Sequence, residues 1–309
     1  MITLPVINME PFFSVVIPTY NRADILPRSI DSVLSQTYKD YELIIVDNGS
    51  TDNTQEWLSD NYQDDRIVYH YQEGSGSPAS PRNTGISFAK GQWICLLDSD
   101  DRWDKSKLQC VFDTIQTNTN ADVICHNENI YYEATDTIGK MLKYGPASKN
   151  MYKEMLIFGN RLSTSATSIR LEFLKGNNLQ FNESKEFATV EDYDLWLNLA
   201  RLSARFVFLP QSLGFYTISS SNMIFTSGLF CTNLKNILRV HAFDVQKKEK
   251  NKGKLWDLLD LRSDLCYIQY VENSFLDKIL GMLKLWIMHP LNMAKIIFGY
   301  VKRKLTNFR

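Results

Sequence analysis

Short apolar runs alternate with segments of helical periodicity over the first hundred residues. Runs this apolar are typical of strands buried on both faces of a sheet. Alternation of strands and helices predicts a mostly parallel sheet with helices on both faces. The predicted strands are Phe12–Pro18, Tyr41–Asp47, Arg66–Tyr71 and Gln92–Leu97, and the predicted helices are Asp24–Gln36, a short one through Trp57, and Asn83–Lys90.

Two of the predicted strands end in acidic residues. Asp47 closes the second strand, and Asp98 follows the fourth. In open sheets of this kind, ligands bind outside the carboxyl ends of the strands. We therefore expect a ligand site at the sheet edge that carries these two aspartates.

The remainder of the chain changes character twice. Residues 122–220 mix short strands with helices, including a helix over Glu191–Leu202, and the pattern from Phe225 onward is almost wholly helical. The sequence thus predicts an α/β domain over residues 1–222, followed by a helical extension over residues 223–309.

Charge is spread unevenly along the chain. The 309 residues carry a formal net charge of −1, which gives no reason to expect nucleic acid as a partner. Between Ser274 and Arg309 there are seven basic residues and one acid, so this tail carries about +6 and the rest about −7. Apolar residues recur there at helical spacing on both sides of Pro290. Basic amphipathic helices favour an anionic membrane surface, here through residues 275–309, although the apolar faces could instead pack on the protein or on a second subunit.

Other features exclude several classes of protein. The five cysteines are widely spaced and form no C-x-x-C pair, so the sequence favours a reducing cytosol over a disulfide framework or a zinc site. Residues 1–10 carry no basic residue and no long apolar run, unlike a signal peptide. No stretch approaches the roughly 18 apolar residues of a spanning helix. We expect a cytoplasmic protein, peripheral at the inner face of the cytoplasmic membrane.

The strongest local motif is Asp98-Ser99-Asp100-Asp101, directly after an apolar strand. Three carboxylates at a strand end repel one another unless a cation or hydrogen-bond donors balance them. A hard divalent cation prefers oxygen ligands and commonly combines one or two carboxylates with diphosphate oxygens. The alternative is an acidic turn that caps a helix beginning near Asp104.

Four short blocks, three of them at predicted strand ends and one at the start of a predicted helix, form a family pattern. In this order and spacing, they resemble the N-terminal half of family 2 glycosyltransferases of the bacterial polysaccharide type, and the likeness extends over about residues 12–220. The resemblance implies a GT-A fold, with a nucleotide-sugar half at about 12–104 and an acceptor half at about 105–222. It also implies an inverting transfer of one sugar from a nucleoside-diphosphate sugar, UDP above all, to a saccharide or lipid-linked saccharide in surface polysaccharide synthesis. The blocks are Pro18-Thr19-Tyr20-Asn21-Arg22, Val46-Asp47-Asn48-Gly49-Ser50-Thr51-Asp52, Pro81-Arg82-Asn83-Thr84-Gly85-Ile86 and Asp98-Ser99-Asp100-Asp101.

The resemblance implies a role for residues in each block. Tyr20 would stack on the donor's base, Asp47 would accept a hydrogen bond from it, and Arg82 would lie near the base and phosphates. Asp98 would lie by the ribose and the metal, and Asp100 would coordinate Mn²⁺ or Mg²⁺. From the residues alone, Tyr20 could be a turn aromatic, Asp47 an Asx-turn and Arg82 a surface arginine. The donor-binding residues implied are Pro18, Thr19, Tyr20, Asn21, Asp47, Arg82, Asp98 and Ser99.

A second acidic segment supplies the candidate base. Residues Val190–Ala200 resemble the family's E-D-x-x-L-W-x-R segment, which implies that Asp192 deprotonates the acceptor hydroxyl. A carboxylate suits this role if a partly dry site raises its pKa. The alternative is that the acids of this segment favour the dipole of a helix beginning there.

The sequence departs from the family pattern at two places. Asn198 stands where a basic residue is usual, and Tyr216–Ser219 replaces Y-R-x-H, with Ser219 in place of a histidine that can approach the metal. The third protein ligand of the metal is therefore not identified. The Q-x-x-R-W signature of processive synthases is missing, which favours one sugar per encounter. The alternatives are a nucleotidyltransferase that makes nucleotide-sugars, which would want glycines after the first strand, and a catalytically idle binding protein that keeps the fold.

Overall fold

The computed structural model describes residues 10–219, 228–246, 275–306 and six positions between 259 and 268. In these residues, nine strands join in one sheet. The strands are β1 (Phe13–Thr19), β2 (Tyr41–Asp47), β3 (Ile67–Tyr71), β4 (Trp93–Leu96), β5 (Arg102–Trp103), β6 (Val123–Tyr132), β7 (Thr137–Leu142), β8 (Thr167–Arg170) and β9 (Phe206–Ile218).

Ten helices flank or follow the sheet in the same described ranges. They are α1 (Leu26–Leu34), α2 (Thr54–Asn61), α3 (Ala79–Phe88), α4 (Lys107–Thr117), α5 (Met151–Phe158), α6 (Leu171–Gly176), α7 (Glu191–Arg201), α8 (Gly228–Gln246), α9 (Phe275–Met288) and α10 (Pro290–Thr306).

The sheet runs in the order β3-β2-β1-β4-β8-β6-β9-β5, with β7 paired to β6. The first four strands of this order are parallel, and β8 is antiparallel to both β4 and β6. Because β6 therefore points the same way as β4, and β9 is parallel to β6, six of the nine strands share one direction. The mostly parallel sheet expected from the sequence is confirmed, and the carboxyl ends of these strands share one edge.

The four N-terminal strands lie where the apolar runs predict them, within one or two residues at each end. Helix α3 differs, because it begins at Ala79 rather than at Asn83. Pro81 lies in its first turn, where a backbone N–H has no partner inside a helix, so the proline does not interrupt it. The hydroxyl of Ser77 accepts the N–H of Ala79 at 3.2 Å and helps to start the helix.

Two apolar layers cover opposite faces of the sheet. Alternate residues of β1 enter different layers: Phe13, Val15 and Ile17 pack with α1 and α4, whereas Val16 packs with α3 and α7. Trp196 and Leu195 of α7 are fully buried in the second layer. Because both faces of the sheet are covered in this way, a ligand can reach it only at the edge formed by the strand ends.

Helices α9 and α10 share a small apolar core with residues that precede them in the chain. Leu261, Ile268, Leu285 and Met293 are buried together there. No helix in the described ranges combines the length and the apolar character needed to cross a membrane. The exposed large apolar side chains on these two helices are Ile279, Leu280, Met282, Leu283, Trp286, Ile287, Met288, Leu291, Ile297, Phe298 and Val301.

Candidate active site

The loops that follow β1 and β2 are joined by several hydrogen bonds, most of which involve Asn21. Asn21 has a positive φ of 49°, which turns its amide towards the second loop. Its Oδ1 accepts the backbone N–H of Thr51 at 2.7 Å, and its own N–H donates to the Ser50 hydroxyl at 2.8 Å. Tyr20 stands beside this junction with 54% of its surface exposed, on the edge formed by the strand ends.

Asp47 is buried at the end of β2 and both of its carboxylate oxygens have donors. Oδ1 accepts the backbone N–H of Ser50 at 2.8 Å, and Oδ2 accepts the hydroxyl of Tyr69 at 2.8 Å. The first contact is the Asx-turn that the residues alone allow. The contact of Asp47 with a base stays a prediction. Pro18 and Thr19 lie next to it on β1, where Thr19 pairs in register with Asp47.

Asn48 fixes the glycine- and serine-rich loop beside this edge. Its Oδ1 accepts from Gln72 Nε2 at 2.9 Å and from the Ser75 N–H at 3.1 Å. Gly49 follows with a φ of +86°, and a Cβ there would lie 2.5 Å from the backbone nitrogen of Gly74. Only glycine permits this approach, so the two loops are held close together.

Arg82, in the first turn of α3, links the two halves of the site. It is 5% exposed, and its guanidinium donates from Nη2 to Asp98 Oδ1 at 2.6 Å and from Nη1 to Glu191 Oε1 at 2.7 Å. Burial alone would lower the pKa of Arg82, but the two carboxylates raise it above its ordinary value. Arg82 is therefore a buried bridge rather than a surface arginine.

The turn after β4 is held from two directions. The Ser29 hydroxyl of α1 lies 2.8 Å from the carbonyl oxygen of Ser99 and 2.7 Å from that of Asp101, and Arg28 Nη2 donates to the Asp100 carbonyl at 3.1 Å. Ser165, which precedes β8, accepts the Asp98 N–H at 3.1 Å. These contacts fix the backbone of the turn, whereas the directions of its carboxylate side chains depend on the groups around each of them.

The carboxylates of the turn face different ways. Asp101 points inward: it is 3% exposed and accepts the Ser165 hydroxyl at 2.6 Å and the Thr217 N–H at 2.8 Å. Burial, followed by the charges of Asp100 and Glu128, raises the Asp101 pKa well above its usual range. The helix start is served instead by Asp104, whose Oδ1 accepts the Ser106 N–H at 2.9 Å. The alternative of a simple helix cap is therefore wrong for the Asp98–Asp101 turn.

Asp100 and Asp98 form the pair that a cation would suit. Burial and the charge of Asp98 raise the pKa of Asp100, while the guanidinium groups of Arg22 and Arg28 lower it less. Such a pair, held at a strand end, fits a hard divalent ion that takes its other ligands from a diphosphate. Within the described residues, no three His, Cys, Asp or Glu side chains converge to hold a metal ion without such help.

Strand β9 returns to the aspartate turn at the place where the family's histidine is missing. Besides the Thr217 contact with Asp101, the Tyr216 hydroxyl lies close enough for burial, followed by the charges of Asp101, Asp100 and Asp98, to raise its pKa. Ser219 follows β9 directly. Residues Tyr216–Ser219, which depart from the family pattern, therefore lie beside the aspartates.

Asp192 lies in the first turn of α7. Among the carboxyls of the site that solvent can reach, it has the pKa that is raised furthest. Burial is the main cause that raises its pKa to about 7, and the charges of Glu191 and Asp98 act in the same direction. Asn160 Nδ2 donates to its Oδ2 at 3.3 Å from an exposed position. Because Glu191 is bridged to Asp98 by Arg82, Asp192 lies beside the aspartate turn although the two are 94 positions apart in the sequence.

The structure thus brings the sequence-predicted residues to one sheet edge, and adds others that the sequence did not single out. Arg28, Ser29 and Ser165 hold the aspartate turn through hydrogen bonds from distant elements. No local pattern marks them, since each is an ordinary polar residue in a helix or loop. Glu191, interpreted from the sequence only as an acid of the first turn, is a partner of Arg82.

With this geometry in view, comparison with known proteins gives a consistent result. Glycosyl transferase family 2 matches residues 14–171, and glycosyl transferase family group 2 matches residues 93–298. The glycosyltransferase GlyG of Streptococcus pneumoniae is 35% identical over 151 residues, which cover 48% of this chain and 48% of that protein. The amylovoran biosynthesis glycosyltransferase AmsB of Erwinia amylovora is 28% identical over 211 residues, covering 66% of this chain and 69% of AmsB. The chain therefore spans about half the length of GlyG.

Solved structures agree on the fold. TarS of S. aureus, residues 1–349 in complex with UDP-GlcNAc, superposes with a TM-score of 0.63 at 19% identity, covering 90% of this chain and 80% of that chain. The mannosyltransferase PcManGT of Pyrobaculum calidifontis, in complex with GDP-Man and Mn²⁺, gives a TM-score of 0.54 at 14% identity, covering 96% and 87%. At these identities the likeness shows the fold, which is GT-A. The family match extends over half of the sequence, and the chain belongs to glycosyl transferase family 2.

Proposed function

We propose that this protein transfers one sugar from a nucleoside-diphosphate sugar, UDP above all, to a hydroxyl of a saccharide or lipid-linked saccharide acceptor. One observation carries the proposal: Arg82 joins Asp98 of the strand-end turn to Glu191, the neighbour of Asp192. A carboxyl with a pKa of about 7 thereby lies beside the carboxylate pair that suits a diphosphate and its cation.

The donor's nucleoside would lie on the edge formed by the ends of β1 and β2. The exposed ring of Tyr20 offers a stacking surface for a base, and Asp47 offers a carboxylate fixed by Ser50 and Tyr69. Base stacking on an aromatic ring contributes about 1–3 kcal/mol. Thr19 Oγ1 is buried and lacks a hydrogen-bond partner, so a polar group of the donor would satisfy it. The remaining donor contacts proposed are those of Pro18, Asn21, Arg82, Asp98 and Ser99.

Asp100, with Asp98 beside it, would hold Mn²⁺ or Mg²⁺ at the diphosphate. When bound there, the ion supplies Lewis-acid stabilisation of the charge that develops on the departing nucleoside diphosphate. Arg82 keeps the Asp98 carboxylate in place, so that the turn presents a fixed pair of oxygens.

Asp192 would act as the general base. Its carboxyl, poised near neutral pH by burial, removes the proton from the acceptor hydroxyl as the hydroxyl oxygen attacks the anomeric carbon. The bond from that carbon to the diphosphate breaks on the opposite side of the sugar, which inverts the anomeric configuration. The acceptor would approach from the side of Asn160, where the Asp192 carboxylate meets solvent.

The product would belong to a surface polysaccharide; the relative AmsB is named for amylovoran biosynthesis. We propose that residues 1–222 form the catalytic domain and that the helical part 223–309 adds a second function; the boundary itself lies outside the described residues. The structure gives no observation that favours a nucleotidyltransferase or an idle binding protein over a transferase.

The helical part would attach the enzyme to an anionic membrane surface at the cytoplasmic face. Helices α9 and α10 expose many apolar side chains, with Ile287 79% and Phe298 73% exposed. Lys284 and Lys295 are exposed on the same two helices, so positive charge accompanies the exposed apolar side chains. This combination fits lipid headgroups better than a neutral protein surface.

Vesicle co-sedimentation tests the membrane proposal. We expect binding to vesicles with about one third anionic lipid, weaker binding to zwitterionic vesicles, and loss of binding in Ile287→Glu/Phe298→Glu at unchanged melting temperature. The matched control, Ile138→Glu, changes an apolar residue on β7 that is 60% exposed, and this variant should bind as the wild type does. Retained binding by the double variant, or a wild type that forms dimers through these helices instead, would contradict the proposal.

A donor screen tests the catalytic proposal. The purified protein with Mn²⁺ is offered UDP-, GDP- and dTDP-sugars, and melting temperature and nucleoside diphosphate release are recorded. We expect one donor to stabilise the protein and to be hydrolysed slowly, with both effects lost in Asp100→Ala. The control Asp113→Ala removes an exposed carboxylate of α4 and should behave as the wild type. Donor binding with no turnover, even with saccharide acceptors added, would indicate the idle binding protein.

A further inference from the structure

Helix α8, which lies beyond the sheet, contacts both ends of the segment that carries Asp192. Asn233 Nδ2 donates to the carbonyl of Ala188 at 2.5 Å, just before α7. His241 Nε2 lies 2.9 Å from Asp194 Oδ1, in the first turn of α7. The two contacts bracket Asp192 in the sequence, so the position of this turn depends on α8.

The contact between His241 and Asp194 is a buried, oriented hydrogen bond. The two side chains are only 3% and 7% exposed. Because a carboxylate only accepts, Nε2 of His241 must be the donor. The other ring nitrogen, Nδ1, lies 3.0 Å from the Tyr152 hydroxyl of α5, which holds the ring in place. A buried bond of this kind has few alternative arrangements, since breaking it leaves polar groups without partners.

We propose that His241 is a positioning residue for Asp192, the general base of the proposed function on which this inference rests. The N–H of Asp194 donates to the carbonyl of Val190 at 3.0 Å and so closes the first turn of α7 around Asp192. By fixing the Asp194 side chain, His241 fixes that turn, and Asp192 keeps its place beside Arg82. His241 acts on Asp192 through Asp194 and the turn that it closes.

The side chain at position 198 explains why Asp194 needs a hydrogen-bond donor from another helix. Asn198 lies one turn after Asp194 on the same face of α7, and its Nδ2 reaches Asp194 Oδ2 at only 3.3 Å. A basic residue at position 198 would pair with Asp194 across this i,i+4 spacing. The sequence has a neutral amide where the family pattern has a basic side chain, and His241 supplies the short bond to the same carboxylate.

The test moves the hydrogen-bond partner of Asp194 from α8 to α7. His241→Phe keeps a ring in the buried space and removes the bond. We expect kcat to fall by about 10- to 100-fold, with the KM for the donor within about twofold, because the base is displaced while the donor site is intact. In His241→Phe/Asn198→Arg, the arginine on α7 replaces the lost partner and we expect most of kcat to return. Asn198→Arg alone should keep wild-type activity.

A second measurement separates this inference from the proposed function. The apparent pKa of the Asp192 carboxyl, followed by carbon NMR and assigned with Asp192→Asn, needs no substrate. Its neighbours are Glu191, Arg82 and Asp98, all unchanged in the variants. We expect it to fall by about one unit from its value of about 7 in His241→Phe, as burial is relaxed, and to return in the double variant.

An unchanged kcat and pKa in His241→Phe, or a loss that Asn198→Arg does not restore, would overturn the positioning role. A wild type without transferase activity, but with the expected pKa changes, would overturn only the proposed function.

Discussion

Replacing Asp192 by asparagine should make the protein more stable at alkaline pH while removing its activity. Burial raises the pKa of this carboxyl from 3.8 to about 7, so the folded protein holds the ionised form at a cost. A shift of about three units corresponds to about 4 kcal/mol at about 1.4 kcal/mol per unit. Since Asp192 is only partly buried, water screens part of this cost, and we expect a gain of about 1–3 kcal/mol. Asparagine keeps the shape and has no charge to bury.

The sign of the pH dependence follows from the direction of the shift. A raised folded-state pKa contributes stability that is complete below the unfolded value near 4 and is lost as the pH rises to about 7. The wild type therefore carries the full cost at pH 8 and about a third of it at pH 5. The advantage of Asp192→Asn should shrink in the same proportion between these two values.

Urea unfolding and melting curves at pH 5 and pH 8 measure the effect. At pH 8 we expect a melting temperature a few degrees higher in Asp192→Asn, and transfer reduced by about 10²-fold or more. Asp194→Asn is the matched control, two positions along the same helix: it loses the charge that accepts from His241 and should be less stable at both pH values. An Asp192→Asn protein no more stable than the wild type at pH 8, or one whose gain is equal at both pH values, would refute the reasoning.

Two further substitutions test the bridge and the packing beneath the site. Arg82→Lys keeps the positive charge but cannot fork between Asp98 and Glu191, so we expect a loss of about 1–3 kcal/mol in urea unfolding and a raised KM for the donor; a variant with wild-type values of both would show that the fork is dispensable. Gly85→Ala places a Cβ 2.4 Å from Val16 Cγ1 and should lower the free energy of unfolding by about 1–3 kcal/mol. Adding Val16→Ala should cost less in this variant than in the wild type, and additive losses would contradict the packing argument.

The fold was predictable from the sequence where apolar periodicity decides it. Residues Tyr41–Asp47 form β2 with the predicted bounds, because an uninterrupted apolar run has one stable place, the inside of a covered sheet. The start of α3 was missed because prolines usually mark loops, and only the first-turn rule makes Pro81 helical. The reversed direction of β8 has no local signal, since it depends on which neighbours the strand finds.

The site was predictable as a set of strand-end residues, but its connections were not. Asp98 and Asp192 could be named from motifs, whereas the fork of Arg82 to both halves needs the three-dimensional path of α3. Asp194 looked like a simple acid of a helix start. Its partner His241 follows 47 positions later, outside the family pattern, and no spacing rule connects the two.

The loops that would receive the nucleoside are joined mainly by amides, which do not titrate. The Asp52 carboxylate also accepts the Ala23 N–H; burial raises its pKa, but hydrogen bonds from Thr54 and Ala23 bring it below the ordinary value. Asn21 and Asn48 each hold two loop segments through neutral hydrogen bonds. The shape of this cradle should therefore stay constant over the pH range in which Asp192 changes its charge. A pH profile of such an enzyme then has a built-in reference: donor affinity stays level while turnover follows the base. A common slope in both would point to an ionising group at the donor itself, such as Asp100, whose pKa burial and the charge of Asp98 raise.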